Sequence, residues 1–231
     1  MSRPARGVAL EPANVRTLDG LFVLASLASG GTERKVLRTA TELIDRGRNV
    51  AVAYLGEPAS LLPSVPVSLP VFNLQRKGKL SFVAIKNLAA IVRSAHPGTI
   101  FAAQLYSLLY VRAAARLVPS RSGRCVAMVN TSTFVRTRDK LFMTLYKPLL
   151  RGMDEIVFGC DAQRRMWCDR YGLDEKRSSV IYNGVDTSHF SPSQTSGERE
   201  TLRQKYGLAS GSTVIGTVGR GFICDLMRFD H

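Results

Sequence analysis

The chain has 231 residues, 45% of them hydrophobic and 22% charged, a length and balance that can bury one substantial core and exclude a disordered or fibrous protein. No apolar stretch approaches the ~20 residues that cross a bilayer as a helix. Thirty-two Lys and Arg against 18 Asp and Glu leave a net charge of +14, which favours anionic partners (nucleic acid, phosphorylated metabolites or an acidic membrane surface) without choosing among them.

Arg3, Arg6 and Arg16 ahead of an apolar run at 21–28 imitate a secretory leader. Asp19 lies against that run and the run is short, so residues 21–25 are expected to be a strand buried on both faces. Ser29-Gly30-Gly31-Thr32 breaks it. Val36, Leu37, Ala40, Leu43 and Ile44 then recur at the helical period, which predicts a helix over 33–46 stopped by Gly47. Residues 50–55 follow as a second strand, and strand, glycine turn, helix and strand make a βαβ unit with a parallel pairing.

The alternation continues. Strands are expected at 67–72, 99–103, 125–129, 155–158 and 179–182, and helices at 80–94, 106–117, 138–151 and 161–171, the last capped by Asp161 and ended by Gly172. The fold class is therefore α/β, a Rossmann-like parallel sheet of about seven strands covered by helices. Residues 191–199 are polar, with a proline and a glycine, as in a linker; 199–206 are helical in pattern, and 213–218 begin another strand. The expected organisation is an N-terminal extension over 1–19, the α/β domain over 20–190, a connecting segment over 191–212, and the start of a second domain over 213–231.

Cys125, Cys160, Cys168 and Cys224 form no Cys-x-x-Cys pair and have no histidines at metal spacing, so they are expected to be free thiols. Four other features carry chemistry. Gly30-Gly31-Thr32-Glu33 stands where backbone N–H groups and a helix dipole can meet a phosphate. It is neither the dinucleotide fingerprint nor a P-loop, and alone it could be a tight turn with Glu33 complementing the dipole. Asn183-Gly184-Val185-Asp186 follows the seventh strand. Val218-Gly219-Arg220 ends the next one, and Asn130-Thr131-Ser132 lie at the carboxyl end of the fifth, the edge where open α/β sheets bind ligands.

In this order the motifs resemble glycosyltransferase family 4, of the two-domain GT-B architecture, over roughly residues 21–220. The resemblance implies transfer of a sugar from a nucleotide-diphosphate sugar to a glycan or lipid-linked acceptor, with retention at the anomeric carbon. Gly30, Gly31 and Arg220 would hold the donor phosphates, and Asn183, Gly184 and Asp186 would form the domain-junction motif. Asn130 and Thr131 stand near where many members place a histidine, so for catalytic roles they are candidates by position alone. No cofactor and no metal are implied, and the sequence has no Asp-x-Asp. The family's second-domain lysine and glutamate pair do not follow Arg220, so this chain by itself is expected to be inactive. The alternatives are a non-catalytic fragment of such an enzyme or a basic nucleic-acid-binding Rossmann-like module.

Arg76, Lys77 and Lys79 precede the apolar helix at 82–92, and Arg136, Arg138, Lys140, Lys147 and Arg151 accompany Phe142, Leu145 and Leu149. Such pairing fits either an anionic membrane surface, at the cytoplasmic face of the cell membrane, or core helices with a solvated basic side. A nucleic-acid-binding module would also use the positive charge, but the cations are scattered and lack interleaved stacking aromatics, so no nucleic acid is expected as a partner. A Rossmann oxidoreductase would need an acid closing the second strand, and Glu57 is poorly placed for that role.

Overall fold

The computed structural model describes residues 17–118, 123–130, 137–185, 187, 196–209 and 212–214. The chain divides into two compact units, Met1–Asn183 and Gly184–His231.

The first unit alternates strand and helix: β1 (Gly20–Leu24), α1 (Gly31–Asp45), β2 (Val50–Tyr54), β3 (Val71–Asn73), α2 (Phe82–Ala95), β4 (Thr99–Ala102), α3 (Leu105–Leu117), β5 (Arg124–Val129), α4 (Thr137–Arg151), β6 (Glu155–Phe158), α5 (Asp161–Tyr171) and β7 (Ser178–Val180). All seven strands pair in parallel in the order β3-β2-β1-β4-β5-β6-β7. The expected parallel sheet is thus present. Strand order reverses at β1: the chain winds outward to β2 and β3, then returns to β4 on the other side. β1 and β4 therefore flank the switch point, with Leu21 opposite Ile100 and Val23 opposite Ala102.

Because successive side chains of a strand point to opposite faces, β1 and β2 feed two cores. Phe22, Leu24, Val50, Val52 and Tyr54 pack with Val36, Leu37 and Ala40 of α1 on one face. Leu21, Val23, Ala51 and Ala53 pack on the other with Leu88 of α2, Leu108 and Val111 of α3, Leu150 of α4 and Trp167 of α5. Burying one such aliphatic side chain contributes about 1.5–3 kcal/mol, so these two layers hold the sheet in register. Phe22 and Phe101 stack across the switch point with centroids 4.6 Å apart. Gly123 is required by close approach: a Cβ there would stand 2.0 Å from the carbonyl oxygen of Pro97.

Several boundaries differ from expectation. β3 is Val71–Asn73 rather than 67–72, because Val67 is 93% exposed and β3 pairs only with Val52–Tyr54. β7 ends at Val180, leaving Ile181 and Tyr182 exposed. Asp161 is the first residue of α5 rather than its cap; Cys160 holds the cap position and makes no side-chain cap hydrogen bond. Asp161 serves the helix differently, as an acid in the first turn 3.3 Å from Arg164.

In the second unit, α6 (Ser196–Lys205) begins three residues before the helix expected from 199, and Gly207 follows it with φ +65, in the left-handed region. The strand expected over 213–218 is absent at Thr213 and Val214, which have no regular structure; 215–218 lie outside the described residues. Among the described residues, Cys125, Cys160 and Cys168 are free thiols.

Candidate functional site at the carboxyl edge of the sheet

The carboxyl ends of β1, β4 and β5 are tied together by four hydrogen bonds. The N–H of Ala103 donates to the carbonyl of Val23 at 3.0 Å, carrying the β1–β4 pairing one residue beyond β4. Gln104, the next residue, accepts from the N–H of Ala25 on its Oε1 at 2.9 Å. Its Nε2 donates to Glu33 Oε1 at 2.8 Å. On the other side Asn130 Nδ2 donates to the carbonyl of Ala103 at 2.9 Å. Gln104 is also the N-cap of α3, in a reciprocal capping box with Ser107, which is fully buried.

Gly30 is the N-cap of α1 with extended backbone, φ −139 and ψ 164, and no side chain caps the helix. Its carbonyl accepts the N–H of Arg34 at 3.1 Å to close the first turn. A Cβ on Gly31 would meet nothing within 4 Å, so the space before the turn is open. The first helical residues have main-chain N–H groups with no partner inside the helix, at the positive end of its dipole. Lys35, one turn on, is half-buried, and desolvation lowers its ammonium pKa.

The structure brings Gly30, Gly31 and Asn130 to one sheet edge, joined through Ala103 and Gln104. It does not bring Asn183 there: Asn183 follows the edge strand β7, with β4, β5 and β6 lying between β7 and β1. Gly184 opens the second unit, and Thr131, Asp186 and Arg220 lie outside the described residues. Glu33 does more than complement the dipole. It is 8% exposed and engaged by Gln104. Gln104 escaped the sequence reading, where the only signal was a polar residue between an apolar strand and a helix.

The basic segments resolve into parts. In α2, Ala84, Leu88, Ala89, Ile91 and Val92 are buried, so most of this helix is core. The exposed apolar residues are at its start, Leu80 (67%), Phe82 (81%) and Val83, together with Phe142 and Leu145 of α4. The loop before α2 is built rather than slack. Arg76 donates to the carbonyl of Gly78 at 2.6 Å and lies over the Tyr106 ring. The hydroxyls of Tyr106 and Tyr110 both donate to the carbonyl of Lys79. Among the described residues no helix is long and apolar enough to cross a membrane, and no three His, Cys, Asp or Glu are grouped as a metal site.

The profile of Glycosyltransferase Family 4 matches residues 29–189. Over 67 residues the chain is 34% identical to a D-inositol 3-phosphate glycosyltransferase of Geodermatophilus obscurus, which is 29% of this chain and 14% of that protein. Anabaena Alr3699/HepE in complex with UDP has a similar fold, with a TM-score of 0.65 at 20% identity over 82% of this chain and 50% of that one. A glycosyltransferase from Rickettsia africae gives 0.61 at 18% identity, over 84% and 51%. The chain thus spans about half the length of these solved structures. The family profile begins after β1, just before the glycine turn, and runs past β7, so it takes in the other six strands of the sheet, and on that match the chain belongs to glycosyltransferase family 4.

Proposed function

We propose that this chain supplies the acceptor-side half of an enzyme that transfers a sugar from a nucleotide-diphosphate sugar to a glycan or lipid-linked acceptor, with retention. The observation that carries the reading is the glycine turn: Gly30 and Gly31 open α1 beside the β1–β4 switch point, with no side-chain cap and open space ahead of them. As a leaving diphosphate accumulates charge, main-chain N–H groups already fixed in place stabilise it without reorganising. The structures of Alr3699/HepE with UDP and with UDP-glucose support the same class of donor. Asn130, on the same edge, would face the acceptor together with Thr131, and Arg220 would add a cation to the diphosphate from the second domain. Asn183, Gly184 and Asp186 would form the junction between the domains.

The site of action would be the cytoplasmic face of an anionic membrane. Leu80 and Phe82 beside Lys77 and Lys79 support this, because a loop that pairs exposed apolar side chains with cations suits a headgroup region.

The test is a thermal-shift titration of the chain with UDP, GDP, ADP, NAD and a nucleic-acid duplex. A rise in Tm with a nucleoside diphosphate, and none with NAD, is expected. A response confined to NAD, or salt-sensitive binding to the duplex alone, would replace this reading with a dehydrogenase or a nucleic-acid module.

A further inference from the structure

Glu33 stands three residues after the N-cap Gly30, the position from which a glutamate commonly folds back to bond the N-cap N–H of its own helix. Here the carboxylate is drawn elsewhere, onto Gln104 Nε2 at 2.8 Å. Gln104 cannot follow Glu33, because it is fixed on three sides. Its Oε1 accepts from Ala25, its main-chain N–H donates to Ser107 Oγ at 3.2 Å, and its carbonyl accepts from that hydroxyl at 2.7 Å.

We propose that Gln104 is a positioning residue that holds the Glu33 carboxylate away from the start of α1 and so leaves the N–H groups of the Gly30–Gly31 turn to an incoming diphosphate. The proposal rests on the reading that this turn receives the diphosphate. Its physical basis is competition. A carboxylate and a phosphate seek the same donors at the same positive helix end, and each repels the other there. A neutral amide that donates to the carboxylate removes the competitor without adding a charge. The link spans 71 residues of sequence and exists only because β4 returns beside β1.

The test uses the 231-residue chain and inorganic pyrophosphate, read by amide shifts of Gly31 and Thr32 in a proton–nitrogen NMR titration. Gln104→Ala is expected to weaken binding about tenfold, the effect of freeing one buried charged partner. Glu33→Ala together with Gln104→Ala is expected to restore affinity to within about threefold of the unmodified chain, since the competitor is then gone. A purely structural Gln104 would lower Tm in both variants and give no such rescue. Gln104→Met, which keeps the volume but cannot donate, carries the same test if the alanine variant fails to fold. Wild-type affinity in Gln104→Ala or Gln104→Met overturns the proposal, as does a double variant as weak as the single one. An unmodified chain whose turn amides do not respond overturns the reading of the turn, and the proposal with it.

Discussion

Asn130 Nδ2 donates to the main-chain carbonyl of Ala103 at 2.9 Å, so the exit of β5 is fastened to the exit of β4 by a side chain rather than by the ladder. The bond makes Asn130 a structural element of the edge as well as a candidate facing the acceptor. Asn130→Ala should cost about 0.5–1.5 kcal/mol, the usual net worth of one hydrogen bond. Asn130→Asp should cost more, because a carboxylate cannot donate to the carbonyl and repels it. Urea denaturation of the three proteins measures the order, and an Asp variant as stable as the unmodified chain would show that the bond contributes nothing.

Tyr110 gives a pH signature. Burial, and then the hydrogen bond with Tyr106, pushes its phenol up to about 12. The unfolded chain titrates near 10. A raised acid holds its proton longer when folded, so its contribution is full below pH ~10 and is lost as pH rises through about 12. Stability should therefore fall with pH across that window, and Tyr110→Phe should flatten the fall. Denaturant midpoints at a series of alkaline pH values would expose the opposite slope if it exists.

The proposed membrane contact can be tested at named residues. Leu80 and Phe82 are exposed at the start of α2, while the helix behind them is core. The chain should sediment with vesicles containing anionic lipid, release at high salt, and ignore neutral vesicles. Replacing Leu80 and Phe82 together by Ser should weaken the binding without lowering Tm, since neither side chain is buried. Equal sedimentation with both vesicle types would dispose of the surface.

The pattern of the chain made most of the fold legible, because a buried parallel strand and an amphipathic helix leave distinct periods. β6 was expected at 155–158 and stands at Glu155–Phe158. The misses have local causes. Val67 and Ile181 are β-branched and apolar, as strand residues are, but β3 pairs with β2 only from Val71, and the pairing of β7 with β6 closes on the Ile181 N–H, which donates to the last carbonyl of β6, Phe158, at 2.9 Å, so edge pairing set the limits of β3 and β7. The places of Gly30, Gly31 and Asn130 at the sheet edge were legible from turn chemistry and strand ends. Gln104 was not, because its meaning depends on which strand lies beside β1. Strand order is a property of the whole sheet, and a local reading of residues 99–107 contains nothing of it.

Gly31 separates folding from function. A Cβ there meets nothing within 4 Å, and an acid in the first turn of a helix is favourable by about 0.3–1 kcal/mol. Gly31→Asp should leave the chain as stable as before, or slightly more so. The same carboxylate would stand where the diphosphate is proposed to bind, a like-charge contact costing several kcal/mol once water is excluded. The matching change in a full-length family member should therefore abolish transfer while preserving Tm. Full activity in that variant would reduce the turn to a connection between β1 and α1.

The 231 residues assayed by themselves should transfer no sugar. In the GT-B arrangement the donor lies between two domains, and the chain spans about half the length of the solved structures it matches. The glycine turn is the contribution proposed for the first domain. The rest would have to come from a second domain, where the family resemblance implies a lysine and a glutamate pair. A preorganised electrostatic group commonly contributes about 3–4 kcal/mol to the reaction barrier, so several missing groups compound to a rate below detection. The sheet, in contrast, holds both of its cores within the first unit, so the domain should fold and bind while failing to turn over. Incubation with UDP-, GDP- and ADP-sugars, followed by chromatography for product and for released nucleotide, decides the point. Transfer or donor hydrolysis well above background would mean that one domain is enough, and that the turn and the edge around Asn130 carry more of the chemistry than the two-domain cleft suggests.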